Sequence, residues 1–404
     1  MKVLLLNAGS SSLKGVLRES SAGAQIASAS ADWAGSTTRY RYSGPDGAEY
    51  CEKVAWTGHA AAVRRFVHDL TSIEPVAVRQ PTDLAAVGHR VVHGGPFTSS
   101  VLITPQIRAQ IAALVDLAPL HNPPSLETLA ASEAELSHLP QIAVFDTAFH
   151  STLAAEAYVY PVPQRWTHDW GIRRYGFHGL SHAYCSRRAA EILSRPVAEL
   201  RLVICHLGHG CSAAAVRFGQ SVDTTMGFTP LEGLMMATRS GSVDPSILLH
   251  VQQRHKLTVE QLEKTLNRES GLLGVSGTSA DMREVLAAAR SGHEQSRLAI
   301  AIYTRRIRQS IGALTVTMGG IDAIVLTAGV GENSPEVRAE VCAGLDCLGI
   351  AIDERLNASC RPDADISSSS ARARVLVVAT REDMTMLREV VDVLSRANDK
   401  AIPS

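Results

Sequence analysis

No stretch of the 404-residue sequence approaches the roughly 20 consecutive apolar residues of a membrane-spanning helix. The apolar run near the start, residues 3–6, is too short for the core of a signal peptide, so a cytoplasmic protein is expected. Cysteines are few and scattered. The seven (Cys51, Cys185, Cys205, Cys211, Cys342, Cys347, Cys360) are an odd number without a CxxC pair, which argues against a zinc or dithiol centre and for reduced thiols. An excess of charge is missing too. Lys plus Arg total 39 against 40 for Asp plus Glu, so no long-range field favours nucleic acid or an anionic membrane, and an anionic ligand must be held by local groups.

What is present is an α/β pattern. Short apolar runs of buried-strand character (residues 3–6, 85–92, 142–145, 202–205, 323–327 and 375–379) alternate with amphipathic segments. The clearest helix spans 295–318, with Ile300, Ile307, Ile311, Leu314 and Met318 at a period near 3.6. Residues 3–17 and 202–216 look alike. Each is an apolar strand, a Gly/Ser turn and a second apolar strand, which reads as a hairpin, and their separation by half the chain suggests a duplicated domain. Residues 20–57 are weakly patterned and residues 363–373 read as a Ser-rich surface loop.

Three small-residue loops could bring backbone N–H groups close to phosphate: 7–12 (with Ser10 and Ser12), 206–210, and 329–333 ahead of a helix beginning near Pro335. The Walker A pattern GxxxxGK[ST] is absent. Taken singly, each loop is equally an ordinary turn. Arg90 and Arg239 are cations in loops after strands, suited to transferring or carboxylate oxygens, though either alone is equally a surface arginine. Asp146 and Glu382 follow strands, where carboxylates point into the ligand crevice of α/β folds or cap helices. His178, in the run Tyr175-Gly-Phe-His-Gly-Leu-Ser-His182, is equally a helix cap.

Several longer runs resemble a known family: Asn7-Ala-Gly-Ser-Ser-Ser-Leu-Lys14, Arg90-Val-Val-His-Gly-Gly95, Phe145-Asp-Thr-Ala-Phe-His150, Arg174-Tyr-Gly-Phe-His-Gly179, residues 223–236, residues 269–274, and Thr327-Ala-Gly-Val-Gly-Glu-Asn-Ser334. They resemble the acetate kinases, the acetokinase family, of the acetate and sugar kinase, Hsp70 and actin superfamily. The resemblance implies two similar actin-like (ribonuclease H-like) α/β domains, residues 1–150 completed by a C-terminal helix 383–404, and residues 151–382, with the active site in the interdomain cleft. It implies reversible in-line transfer of the ATP γ-phosphoryl group to acetate, with Mg²⁺ or Mn²⁺, in a cytoplasmic homodimer without nucleic-acid or membrane partners.

By resemblance, Asn7 and Glu382 organise the metal and Lys14 approaches the phosphates. Arg90 holds the acceptor carboxylate, Arg239 and His178 stabilise the group in flight, and Asp146 positions acceptor or metal. Nucleotide is expected along His206, Leu207, Gly208, His209 and Gly210, along Asp281, Met282 and Arg283, and along Gly329, Val330, Gly331, Glu332 and Asn333. Val92, Leu120, Phe177 and Pro230 are expected around the acetate methyl, although the residues themselves are what any core offers. Three positions depart from the family pattern: His209 and Arg381, where asparagine is usual, and Ala237, where glycine is usual. Kinases of propionate or other short-chain acids, and a nucleotide-switched binding module, are the competing readings.

Overall fold

The computed structural model describes residues 1–119 and 121–401. The chain forms two compact units, Met1–Ala148 with Arg381–Ser404, and Phe149–Thr380.

The first unit is built on an eight-stranded sheet: β1 (Lys2–Gly9), β2 (Ser12–Glu19), β3 (Gln25–Asp32), β4 (Thr38–Ser43), β5 (Glu49–Val54), β6 (Leu84–Val91), β7 (Val101–Leu102) and β8 (Gln141–Phe145), in the order β5-β4-β3-β2-β1-β6-β8-β7. β1 is covered on both faces, which is why Val3, Leu4, Leu5 and Leu6 form an unbroken buried apolar run instead of alternating. Leu4 and Leu6 pack with Leu17, Phe66 and Leu70 in one core cluster. On the opposite face the closing helix Glu382–Ala401 comes so near that a Cβ on Gly88 would stand 2.7 Å from Val390 Cγ2. Glycine at 88 is what allows that approach.

The second unit repeats the plan with six strands: β9 (Arg201–Leu207), β10 (Cys211–Arg217), β11 (Gln220–Thr224), β12 (Ala323–Thr327), β13 (Ala364–Asp365) and β14 (Arg374–Val377), ordered β11-β10-β9-β12-β14-β13. In both units a strand pairs antiparallel with its successor and parallel with a later strand, which in turn pairs parallel with another: β2-β1-β6-β8 and β10-β9-β12-β14. A shared strand order with shared pairing senses is the structural mark of the duplication, and the fold is the actin-like one. Cys185 and Ala189 of helix Gly179–Leu193 pack with Leu202, Ile204, Val325 and Leu376.

Four local expectations change. The weakly patterned residues 20–57 contain β3, β4 and β5, whose inward positions are small or aromatic (Ala27, Ala29, Ala31, Tyr40, Tyr42). Residues 329–333 lie within a short helix, Ala328–Asn333, not in an open glycine loop. The Ser-rich segment contributes β13 and buries Ile366 and Ser367. The long helix runs over Glu294–Thr317, and its buried side includes Ala299 and Tyr303 where Ile300 was expected. All seven cysteines are free thiols. Among the described residues no helix is long and apolar enough to cross a membrane.

Candidate active site

In the first unit the side chains converge on Arg90, at the end of β6. Its Nη2 donates to Asp146 Oδ2 at 2.8 Å and its Nη1 to Asn7 Oδ1 at 3.3 Å, while Nε stands 4.0 Å from Glu382 Oε2. The sheet explains the convergence. β1, β6 and β8 are adjacent and parallel, so Asn7 on β1, Arg90 on β6 and Asp146 just past β8 emerge at the same end, and the closing helix brings Glu382 to it. Asp146 N also donates to Val91 O, and Ser125 Oγ donates to Arg90 O, which fixes the backbone on both sides.

Arg90 Nε is buried and makes no hydrogen bond. A buried N–H without a partner is a costly arrangement that an incoming anion relieves. Burial draws the Arg90 pKa down, but Asp146 and Glu382 outweigh it and hold it above the ordinary arginine value. Burial lifts the Glu382 pKa, Asp146 adds to the rise, and Arg90 and Lys14 oppose it. Lys14 lies opposite Asn7 in the β1–β2 register and is exposed. Ser10 is exposed in the two-residue turn between the strands, and Ser12 pairs with Gly9. Asn7 and Glu382 supply hard oxygen donors next to a cation that would also meet phosphate. Two protein oxygens suit Mg²⁺, which keeps its remaining positions for water and phosphate. Among the described residues no three His, Cys, Asp or Glu side chains gather as a metal cage. Val92 is buried two residues beyond Arg90, and Leu120 lies outside the described residues.

In the second unit His178 caps helix Gly179–Leu193 with left-handed backbone, φ 57°, and its side chain makes no capping bond. Such backbone is uncommon in a residue other than glycine, although histidine is among those that adopt it most often, and it carries a modest strain that the surroundings must hold. The His178 ring stacks on His206 with centroids 4.1 Å apart. His206 thus faces His178, and its Nδ1 bonds Ser181 Oγ at 2.8 Å. Arg239 reaches the same place. A Cβ on Gly210 would lie 3.3 Å from Arg239 Nη1 and 3.5 Å from His178 Nε2. Arg239 Nη1 donates to Pro230 O at 3.0 Å, and among the described residues the guanidinium forms no carboxylate ion pair. Burial lowers its pKa, Cys211 opposing. Phe177 is buried beside His178, and its carbonyl accepts from His150 Nε2 at 3.1 Å.

Beside this cluster a cavity of about 880 Å³ is lined by Gly208, His209 and Ala237, by Asp281, Met282 and Arg283, and by Gly329, Val330 and Asn333. Its size and mixed lining suit a drug-sized or nucleotide-sized ligand. Asp281 caps helix Met282–Arg290 and pairs with Arg283, the side chain of Arg283 first and its N–H second holding the Asp281 pKa down. Five residues expected on the nucleotide do not line it: His206, which faces His178 instead, Leu207, wholly buried in β9, Gly210, Gly331 and Glu332. The Glu332 carboxylate is occupied in accepting from Thr380 N and Oγ1, both at 2.8 Å. The sequence had not pointed to Ser212 and His182, which lie behind His178, nor to Leu272 and Leu286 in the cavity wall. Ser212 and His182 stand within motifs already noted, but their partnership spans 30 residues of sequence and shows only in the fold.

Comparison with known proteins places this geometry. The acetokinase family model matches residues 2–388. The acetate kinase of Gloeobacter violaceus is 48% identical, over 96% of this chain and 98% of its own. The crystal structure of Porphyromonas gingivalis acetate kinase superposes with a TM-score of 0.90 at 38% identity, over 97% of this chain and 99% of its own. A propionate kinase from Francisella tularensis superposes with a TM-score of 0.89 at 35% identity, over 96% and 98%. The match extends over nearly the whole of each chain, and on that ground this chain belongs to the acetokinase family.

Proposed function

We propose that the chain transfers the γ-phosphoryl group of ATP to acetate, reversibly, giving acetyl phosphate and ADP by direct in-line displacement. The observation that carries the reading is Arg239, a largely buried guanidinium without a carboxylate partner among the described residues, aimed at the Gly210 loop tip beside His178. A cation held in that way is completed by an anion from outside, and phosphoryl transfer needs such charge on its equatorial oxygens. Arg90, locked by Asp146, offers its unpartnered Nε to the acceptor carboxylate. The cavity along Asp281–Arg283 and Gly329–Asn333 takes the nucleotide. Asn7 and Glu382 would hold Mg²⁺, and Lys14 the phosphates. When bound, the ion neutralises charge on the β- and γ-phosphate oxygens.

A kinase of propionate is the second reading, favoured by the likeness to the Francisella enzyme, and it differs in the space left beyond Val92. The proposed location is the cytoplasm, where free thiols persist. A homodimer is proposed because Ile247 and Leu249, on helix Pro245–His255, and Trp170 are large apolar side chains left exposed.

Purified protein with ATP, Mg²⁺ and hydroxylamine tests the function, since hydroxylamine converts acyl phosphates to hydroxamates. Acetohydroxamate should form in proportion to ADP when acetate is supplied. ATP consumption without hydroxamate from any short-chain acid would overturn the reading.

A further inference from the structure

A buried serine stands between two histidines in the second unit. Ser212 Oγ is 2.9 Å from His178 Nδ1 and 2.8 Å from His182 Nε2. Ser212 and His182 are both wholly buried. His178 is the member at the candidate site, with Nε2 on the side of the Gly210 loop tip.

The protons of this chain can be counted. A serine hydroxyl carries one proton and can also accept, and a neutral imidazole carries one proton on either nitrogen. Among the described residues the two rings are the hydrogen-bond partners of Ser212 Oγ. Suppose first that Ser212 donates to His182 Nε2. The His182 proton then sits on Nδ1, which is buried and has no partner. Suppose instead that both rings donate to Ser212. The hydroxyl proton is then stranded in the core. In the remaining arrangement His182 Nε2–H donates to Ser212, and Ser212 donates to His178 Nδ1. Only a lone pair, on His182 Nδ1, is left without a partner. Orphaned buried donors are rare in proteins and under-satisfied acceptors less so, which selects this arrangement. Burial, and then the neighbouring His150 and His206, hold the His182 pKa well below its ordinary value, so its ring is neutral as the count requires.

We infer that His182 and Ser212 are positioning residues that fix His178 as the tautomer protonated on Nε2, so that it presents a hydrogen-bond donor at the Gly210 loop tip. The inference rests on the proposed phosphoryl transfer for its purpose. A lone pair facing an anionic oxygen repels it, whereas an N–H stabilises it. A second serine–histidine pair holds the backbone beneath. The Phe177 carbonyl can only accept, so His150 Nε2–H donates to it, and Ser221 Oγ at 2.7 Å then donates to His150 Nδ1. This anchors the residue immediately before the strained φ of His178.

Nitrogen-15 NMR of the full chain with labelled histidine reads the tautomer directly, since protonated and unprotonated imidazole nitrogens resonate far apart, with the His178 signals assigned by their loss in His178→Ala. His178 should show Nε2 protonated and Nδ1 bare. In Ser212→Ala the constraint is lifted. An Nδ1-protonated population should appear at His178, and kcat should fall roughly tenfold, less than the ~10²–10³-fold of deleting a donor outright, with KM for ATP unchanged. His182→Gln, which keeps an N–H donor, should retain more of kcat than His182→Leu. A wild-type His178 protonated on Nδ1 overturns the inference without need of any variant, and so does Ser212→Ala with unaltered His178 signals and kcat. Undiminished kcat in His178→Ala would instead overturn the role of His178 in transfer, whatever tautomer is seen.

Discussion

Arg90 Nη2 and Asp146 Oδ2 lie 2.8 Å apart, with the Asp146 side chain wholly buried and that of Arg90 16% exposed. The pair is therefore desolvated on both sides, and its partners are unequal in freedom. Asp146 is locked within the unit, whereas Arg90 keeps a donor to spare.

Breaking such a pair from one side leaves the other charge buried without compensation. Arg90→Ala should cost about 3–5 kcal/mol of unfolding free energy and abolish transfer. Arg90→Lys should recover much of the stability but little activity, because an ammonium lacks the planar fork that serves Asp146 and a second carboxylate together. Urea titrations alongside hydroxamate assays check both, and a loss under 1 kcal/mol for Arg90→Ala would show that the pair does not brace the unit.

Arg239 should behave in the opposite way. Its guanidinium is desolvated without a carboxylate partner among the described residues, so the fold gains little from its charge. Arg239→Ala should lower kcat by roughly 10³-fold while leaving the melting temperature unchanged or raised, the signature of a residue kept for function at some expense of stability. An activity loss under tenfold would remove Arg239 from the mechanism.

The two arginines also show what the sequence discloses. The strands that carry the clusters are nearly continuous apolar runs, so β1, β6, β8, β9, β12 and β14 were legible, and so were the residues at their ends. β3 and β5 were not, because Ser and Ala alternate weakly along one and Glu49, Cys51 and Lys53 are exposed along the other. Tyr40 and Tyr42 gave a two-residue period whose meaning depends on helix His59–Ser72, where Asp69 accepts from Tyr40 Oη at 2.7 Å. The glycines of 329–333 suggested a loop, yet tertiary contacts, such as Thr380 Oγ1 accepting from Ala328 N, hold the segment helical. Partners such as Ser212 and His182 are separated in sequence and carry no local signature.

Glu382 yields a prediction about metal. Its pKa stands above the usual 4.5, first through burial. For a raised carboxylate the folding stability it contributes is present at low pH and is lost as pH climbs through the folded value, so ionised Glu382 is a burden on the metal-free fold. Glu382→Gln should therefore be more stable than wild type at neutral pH without Mg²⁺, the difference vanishing in acid below the unfolded carboxylate pKa. Its Mg²⁺ requirement in the assay should rise at least about tenfold, as one charged ligand becomes neutral. Melting curves against pH, without and with Mg²⁺, separate the two effects. A variant less stable than wild type at neutral pH without metal would contradict the argument.

Val92 tests the acceptor. It is buried two residues past Arg90, and if it lines the acceptor pocket as the family resemblance implies, Val92→Ala opens space for a longer acid. A methylene in an apolar pocket is worth about 1–3 kcal/mol of discrimination, and kcat/KM for propionate relative to acetate should rise accordingly. An unchanged ratio, with both acids still turned over, would place Val92 outside the acceptor pocket.

His209 is where the structure changes what the sequence leads one to expect. An ordinary histidine of pKa near 6.5 at a phosphate loop would make ATP binding weaken as pH rises from about 6 to 8, as the ring loses its proton. At this loop tip, desolvation first and the positive charge of Arg239 second push the His209 pKa down. The free protein therefore meets ATP across most of that range with the ring already neutral. Deprotonation can weaken binding only toward the acid end, since raising the pH above neutrality removes no further charge. The loop geometry does not depend on the ring: His209 O accepts from Ala237 N at 3.1 Å, and the cavity wall is formed by the neighbouring backbone. KM for ATP should thus be nearly flat between about pH 7 and 8 and should tighten only toward acid, where protonation begins to compete. His209→Asn should follow the wild-type curve above pH 7 and lose the tightening below it, with kcat unchanged. A wild-type KM that climbs between pH 7 and 8 while that of His209→Asn stays level would show that bound polyphosphate lifts the ring's pKa past the opposition of Arg239, and that the histidine supplies charge at neutral pH after all.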